Sequence, residues 1–243
     1  MPEQLSTLQI LLEDGPVIAV NKTAGLLTQG VPRGIPTLEA QVKDFLKERF
    51  SKPGNVYLGI PHRLDRPVSG VVVFARNSKA ARRLAEQFQQ RQVRKVYWAI
   101  VEQPPDPPQG KLNDWLLKIK DESRCEVAPA GSPSARECSL TYRTLAVDSG
   151  RAILEIEPQT GRMHQIRIQL ANRGWFVVGD SLYGARTTLR PESAADPRAE
   201  PIALHARSLT FLHPIRYDPV TVVAPIPDFW QPFSGLLCAT QSM

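Results

Sequence analysis

The sequence predicts an α+β fold built on a mixed, largely antiparallel central sheet with flanking helices. Three observations point there. Segments that read as strands outnumber those that read as helices, and the two do not alternate strictly. The 22 prolines call for many ordered turns rather than a helical bundle. A chain of 243 residues, 42% hydrophobic and 22% charged, has the length and apolar content to bury a substantial core and is not intrinsically disordered.

The elements follow in order. "LQILLEDGPVIAVNKTAG" reads as two short strands around a turn at Asp14-Gly15-Pro16, the second covering Val17 to Asn21 and ending in a Lys22-Thr23-Ala24-Gly25 turn. Thr37 is placed to cap a helix carrying Leu38, Val42, Phe45, Leu46 and Phe50 at helical spacing, which Pro53-Gly54 stops. Val71 to Ala75 is a continuous apolar run, a buried strand. Asn77 or Ser78 caps a second helix with Ala81, Leu84, Ala85 and Phe88 on its apolar face. "KVYWAIV", residues 95–101, is β-branched and aromatic, hence a strand. "EQPPDPPQGK" reads as a Pro-rich loop and residues 128–138 as a surface turn. "CSLTYRTLAV" and "AILEIEP" form strands joined by Asp148-Ser149-Gly150. "QTGRMHQIRIQLANRG" turns and becomes a short helix with an Ile166/Leu170 stripe and Gly174 at its C-cap. "RTTLRPESAADPRAEP" reads as a mobile loop, and "ALHARSLTFLHP" and "VTVVAPIP" as late strands.

Composition narrows the function classes. Formal net charge is +6. Seven cations (Arg76, Lys79, Arg82, Arg83, Arg91, Arg94 and Lys95) fall between residues 76 and 95 against one acid, Glu86. That is either a solvated helix face or a nucleic-acid surface. The three cysteines are odd in number and include no Cys-x-x-Cys pair, which argues against a disulfide framework or a zinc site and fits a reducing compartment. The N-terminus lacks the form of a signal peptide, and no apolar run approaches a membrane span. The expected location is cytoplasmic.

Phosphate-binding and dinucleotide glycine motifs are absent, as is a Ser nucleophile elbow, and the four histidines have no metal-ligand spacing. The expectation is chemistry without cofactor or metal. Two charged loops remain: "PHRLDRPVSG", with His62, Arg63, Asp65 and Arg66, and "TGRMHQIR", with Arg162, His164, Gln165 and Arg167. An aspartate is already ionised at neutral pH and needs only orientation to act, which a bidentate arginine supplies. Arg167, in the first turn of its predicted helix, is the candidate partner for Asp65. The structural alternative is that Asp65 caps its turn and pairs with a neighbouring arginine. A glycoside hydrolase would need a second carboxylate, and neither loop has one.

These residues point to a family. "HRLDRPVSG", "TGRMHQIR" followed by "GDSLYG", "KVYWA", "KTAG" and "LHA" occur in the order found in the RluA-type pseudouridine synthases, which the chain resembles from about residue 17 to 227. The resemblance implies the pseudouridine synthase fold with its catalytic cleft and a single catalytic domain over residues 1–243; the S4 domain that some relatives carry is not expected, for want of room before the first motif. It also implies isomerisation of uridine in structured RNA, ribosomal or transfer, without a cofactor; a monomer is expected separately, from the lack of any coiled-coil pattern. Position by position, Asp65 matches the catalytic aspartate. Tyr97 matches the tyrosine that packs on the base, Arg167 the basic partner of the aspartate, Arg63 an arginine holding the flipped-out RNA, and Leu204 an apolar contact in the pocket. His62, Arg66, Arg162, His164 and Gln165 are expected on the substrate side. Three positions depart from the family pattern: Thr23 for proline, Val68 for threonine, and Gln169 where many members have histidine, the last expected to alter RNA contacts.

Overall fold

The structure, a computed structural model, describes residues 8–30, 35–120, 122–189 and 196–241. In chain order the strands and helices are β1 (Gln9–Asp14), β2 (Val17–Lys22), α1 (Leu38–Arg49), β3 (Ser69–Ala75), α2 (Ser78–Gln89), β4 (Arg94–Val101), β5 (Gln109–Lys118), β6 (Cys125–Ala128), β7 (Arg136–Asp148), β8 (Arg151–Pro158), α3 (Gln165–Ala171), β9 (Leu204–Leu212), β10 (Pro219–Val223) and α4 (Ser234–Gln241). This is the α+β class, with a mostly antiparallel set of strands and few helices. The chain divides into two compact units. One comprises the residues up to Arg94 with Ser208–Pro225, and the other Lys95–Arg207 with the residues from Ile226.

In the first unit β1, β2 and β3 pair antiparallel, and β10 pairs with β9. Val17, Ala19, Val71, Val73 and Ala75 alternate onto one face, packed with Ala80 and Leu84 of α2 and with Leu209, Phe211 and Val222. The alternate residues Ile18, Val20, Val72 and Phe74 are fully buried as well. Burial on both faces is why these strands read as unbroken apolar runs. Each such side chain contributes roughly 1.5–3 kcal/mol relative to exposure.

Both helix starts are local and match expectation: Thr37 accepts from the Ala40 amide and Asn77 from the Ala80 amide. Of the expected apolar face of α2, Leu84 is in the core and Ala81 and Phe88 pack against it. Ala80, Leu84 and Gln87 are buried while Ala85 is exposed. Gln87 can be buried because its amide closes a pair of hydrogen bonds with the backbone of Leu212. Phe50 lies past the end of α1 and is exposed, with the Arg76 guanidinium 5.2 Å from its ring.

In the second unit the antiparallel order is β4-β8-β7-β5-β6. The β7–β8 hairpin closes as expected through Ser149 and Gly150, both at positive φ, the signature of a tight primed turn. The Pro-rich loop is shorter than expected, because β5 begins at Gln109. Likewise the expected turn at 128–138 ends where β7 starts, at Arg136. α3 was expected to bury only a stripe, yet all of Gln165 to Leu170 is buried. A short helix enclosed on every side has no periodicity to show. Gly174 takes φ 76 beyond the helix end, and the Trp175 amide returns to the Leu170 carbonyl. The loop expected over 186–201 lies partly outside the described residues; within it Pro197–Ala199 form a 3-10 turn. No helix among the described residues is long and apolar enough to cross a membrane.

Candidate active site

Asp65 is half-buried on a loop of the first unit that is tied down along its length. At one end Gly59 exchanges backbone hydrogen bonds with Ala75 of β3 at 2.8 and 2.9 Å. Only glycine fits, since a Cβ there would lie 2.4 Å from that of Ala81. His62 Nε2 accepts the Val73 amide hydrogen at 3.0 Å, and its ring stacks on Phe88. The Thr28 hydroxyl bonds both the carbonyl and the amide of Leu64, at 3.0 and 3.2 Å. The Val68 amide donates to the Asp65 carbonyl, closing the turn, and Gly70 leaves it at φ 117, a conformation that other residues rarely adopt.

Beneath the loop lies a lysine that sequence reasoning passed over. Lys22 has no exposed surface, and its Nζ donates to the carbonyls of Leu26 (2.7 Å), Thr23 (3.0 Å) and Arg66 (3.0 Å). The Gly25 amide also donates to the Arg66 carbonyl, and Arg66 Nε donates to the Gly25 carbonyl. The early turn and the aspartate loop are therefore one cross-linked body. The departure from proline at position 23 leaves the tie to Lys22 untouched, since the acceptor is the backbone carbonyl, which either residue supplies. Lys22 opens the "KTAG" turn, but a lysine ending a strand ordinarily reads as solvated, so its burial did not show in the sequence.

Burial pulls the Lys22 pKa down to about 7; the Asp65 carboxylate opposes the shift and the Arg66 guanidinium adds to it. The unfolded chain keeps this proton up to the ordinary lysine value of 10.5. Between those two values folding expels a proton, so the stability from this group rises with pH. Below about 7 both states are protonated and the contribution stays at its minimum. The unfolding free energy of the wild type relative to Lys22→Met is expected to grow from about pH 7 to pH 9.5. Urea denaturation across that range checks it, and a flat difference contradicts the assignment.

The second charged loop belongs to the second unit. Gln165, expected on the substrate side, is buried and spends its amide internally. Its Oε1 accepts from the Thr160 hydroxyl (2.6 Å) and the Arg162 amide (3.0 Å), and its Nε2 donates to the Ser139 carbonyl (3.0 Å). It shapes the turn. Arg162 is exposed, with Nε on the Glu137 carbonyl. His164 sits at φ 54, a left-handed residue immediately before α3, with Nδ1 2.8 Å from the Tyr183 hydroxyl.

Arg167 is 5% exposed and forms a two-pronged pair with Asp180, itself 2% exposed: Nε to Oδ2 at 2.6 Å and Nη2 to Oδ1 at 2.7 Å. Its guanidinium also lies 5.0 Å from the centre of the Tyr183 ring. Asp180 and Tyr183 belong to the "GDSLYG" segment, whose part in the site does not show in the sequence.

Tyr97 is half-buried on β4, opposite Ile156 of β8, and Leu204 is buried at the start of β9. Gln169 corrects the expectation of an altered RNA contact. It has no exposed surface, and its Nε2 donates to Asp114 of β5, which Arg173 also holds at 2.7 and 2.8 Å. Its role is internal packing of α3 on β5. None of the three cysteines is in a disulfide; the buried Cys138 thiol is pushed up to about 11, first by burial and then by Asp114, and stays protonated.

The structure thus groups His62, Arg63, Asp65 and Arg66 on one loop, with Arg63 exposed, and Arg162, His164, Gln165 and Arg167 at the start of one helix. The cations of residues 76–95 do not form a uniform face. Arg76 pairs with Glu13 and donates to the Gly15 carbonyl, and Arg83 docks on the Pro214 carbonyl at 2.5 Å and on the Tyr217 ring. Lys79, Arg82 and Arg91 are exposed.

A fold of this class, with an aspartate on a pinned basic loop, is that of the pseudouridylate synthases. The structure matches human RNA pseudouridylate synthase domain containing 4 with a TM-score of 0.74 and 25% identity, covering 96% of this chain and 93% of that one. A family model described as RNA pseudouridylate synthase matches residues 16–172, and this chain belongs to that family, the RluA-type RNA pseudouridine synthases. It is 34% identical over 220 residues to an uncharacterised RNA pseudouridine synthase of Zymomonas mobilis, covering 90% of this chain and 94% of that protein. It is 36% identical over 229 residues to the ribosomal large subunit pseudouridine synthase D of Xylella fastidiosa (91% and 66% covered). With the tRNA pseudouridine synthase C of Salmonella typhi it shares 33% over 237 residues (92% and 87% covered). The chain is accordingly an isomerase of uridine in RNA.

Proposed function

We propose that residues 1–243 act as one catalytic domain converting specific uridines of structured ribosomal or transfer RNA to pseudouridine, with Asp65 acting at the ribose. The observation that carries this reading is the pinned loop: backbone and side-chain bonds hold the segment bearing Asp65, itself a half-buried residue. Preorganisation of this kind lowers the cost of reaching the reactive geometry.

In the proposed reaction the C1′–N1 bond breaks, the uracil turns, C1′ bonds to C5, and the C5 proton leaves while N1 gains one. The product is an isomer, so no electron donor or acceptor is required. Asp65 either adds to C1′, the new C1′–O bond breaking again as C1′ bonds to C5, or removes the 2′ proton and returns it to C2′; a primary isotope effect from deuterium at C2′ accompanies only the second. Tyr97 offers its ring to the base and its phenol to the proton leaving C5, and Leu204 lines the pocket. In keeping with the family resemblance, Arg167 is the proposed basic partner of Asp65. Arg63, His62, Arg66, Arg162 and His164 serve the RNA, which must present a flipped-out uridine at a cost of a few kcal/mol. The ribosomal and transfer RNA named for the relatives of Xylella and Salmonella make both substrates candidates here, and the enzyme is proposed to be a cytoplasmic monomer.

Tritium release from RNA labelled at C5 tests the activity: release without free uracil marks isomerisation, free uracil marks hydrolysis, and neither marks binding alone. Mapping pseudouridines in a deletion strain against its parent names the site. The exposed cations give a separate test. Lys79→Glu with Arg82→Glu is expected to weaken RNA binding about tenfold or more at low salt and to flatten its salt dependence. Folding stability should be unchanged, because the Arg82–Glu86 pair is long, at 3.8 Å, and solvated. Filter binding across a salt series measures both, and an unaltered slope makes this face ordinary solvated surface.

A further inference from the structure

Arg167 is held far more tightly than burial of an arginine requires. The turn Ser181–Tyr183 is a 3-10 helix, so Asp180 before it and Tyr183 at its end, three residues apart, project to the same side. Asp180 precedes that helix yet does not cap it with its side chain; the carboxylate takes Nε and Nη2 of Arg167 instead. The Tyr183 ring covers the guanidinium, and the Tyr183 oxygen is itself fixed. It accepts the Cys125 amide hydrogen at 3.1 Å and meets His164 Nδ1 at 2.8 Å. Burial pushes the Tyr183 phenol up to about 12, so it stays protonated and neutral; the histidine tautomer sets which of Tyr183 Oη and His164 Nδ1 donates. His164, left-handed and next to the helix, ties that hydroxyl back to the residue before α3.

A buried ion pair is a poor source of stability, because apolar residues of similar volume serve as well or better. What this one supplies is a single orientation for a planar fork. We propose that Asp180 and Tyr183 are positioning residues that set the guanidinium of Arg167 in the one orientation the reaction uses, with His164 and the Cys125 amide anchoring Tyr183. This rests on the reading of Arg167 as the partner of Asp65.

The test is steady-state and single-turnover kinetics on an RNA with one defined target uridine, using variants shown to be folded by circular dichroism. Asp180→Asn is expected to lower kcat about 10- to 100-fold, and Tyr183→Phe about 3- to 10-fold, with KM changed less than about twofold. Tyr183→Phe keeps the ring and the charge pair, so it decides the matter if Asp180→Asn fails to fold. A merely structural role would reduce the active fraction without regard to Arg167. Each change is therefore repeated with Arg167→Lys, which lacks the fork. There the additional loss is expected to be under about twofold, since the group being positioned has gone. A folded variant with wild-type kcat, or losses that multiply fully with Arg167→Lys, overturns the proposal. If Arg167→Lys itself keeps wild-type kcat, or Asp65→Asn stays active, the underlying reading of the site fails instead.

Discussion

Asp65→Asn is expected to reduce uridine isomerisation by at least about 1000-fold while leaving RNA affinity within about threefold. An amide can neither add to C1′ nor accept the 2′ proton, so both routes close together. The loop should keep its shape. Its described ties run through the backbone of Leu64, Asp65 and Arg66 and through His62, Thr28 and Lys22. Tritium release and filter binding on the same preparation separate the two effects. A folded Asp65→Asn enzyme that still releases C5 tritium at a comparable rate would remove Asp65 from the chemistry.

Arg167→Leu carries the largest expected effect on stability, a loss of about 3–5 kcal/mol, because it leaves the Asp180 carboxylate buried without its counter-charge. The double change Arg167→Leu with Asp180→Leu removes both charges together and is expected to recover most of that stability. Activity should not recover, since the guanidinium is absent in both. Chemical denaturation paired with single-turnover kinetics distinguishes the two roles. Recovery of activity in the double variant would show that Arg167 serves folding alone.

What could be read along the chain was local. Thr37 and Asn77 cap helices whose first turns lie beside them, and Ser149-Gly150 makes a turn whose backbone demands those residue types. The runs in β2 and β3 are apolar because both faces are covered, and that too shows in sequence. β5 and β6 did not show. Gly110, Lys111, Asn113 and Asp114 have low strand preference, and the register with β7 is what makes a strand of them. The enclosed α3 hid its faces for a related reason: with every side packed, polar and apolar residues follow no stripe.

The site divides in the same way. The sequence by itself determined the family, and it supplied the residues proposed to carry the chemistry, because Asp65, Tyr97 and Arg167 stand in motifs whose spacing is part of the chain. The tertiary structure alone decided which neighbouring polar residues are structural. Gln165 and Gln169 turn inward, Arg83 docks on its own unit, and Lys22 lies under the aspartate loop. It alone paired Arg167 with Asp180, thirteen residues away. A polar side chain reads the same in sequence whether it meets solvent or a buried carbonyl. Only folding removes the water and makes each one find a partner.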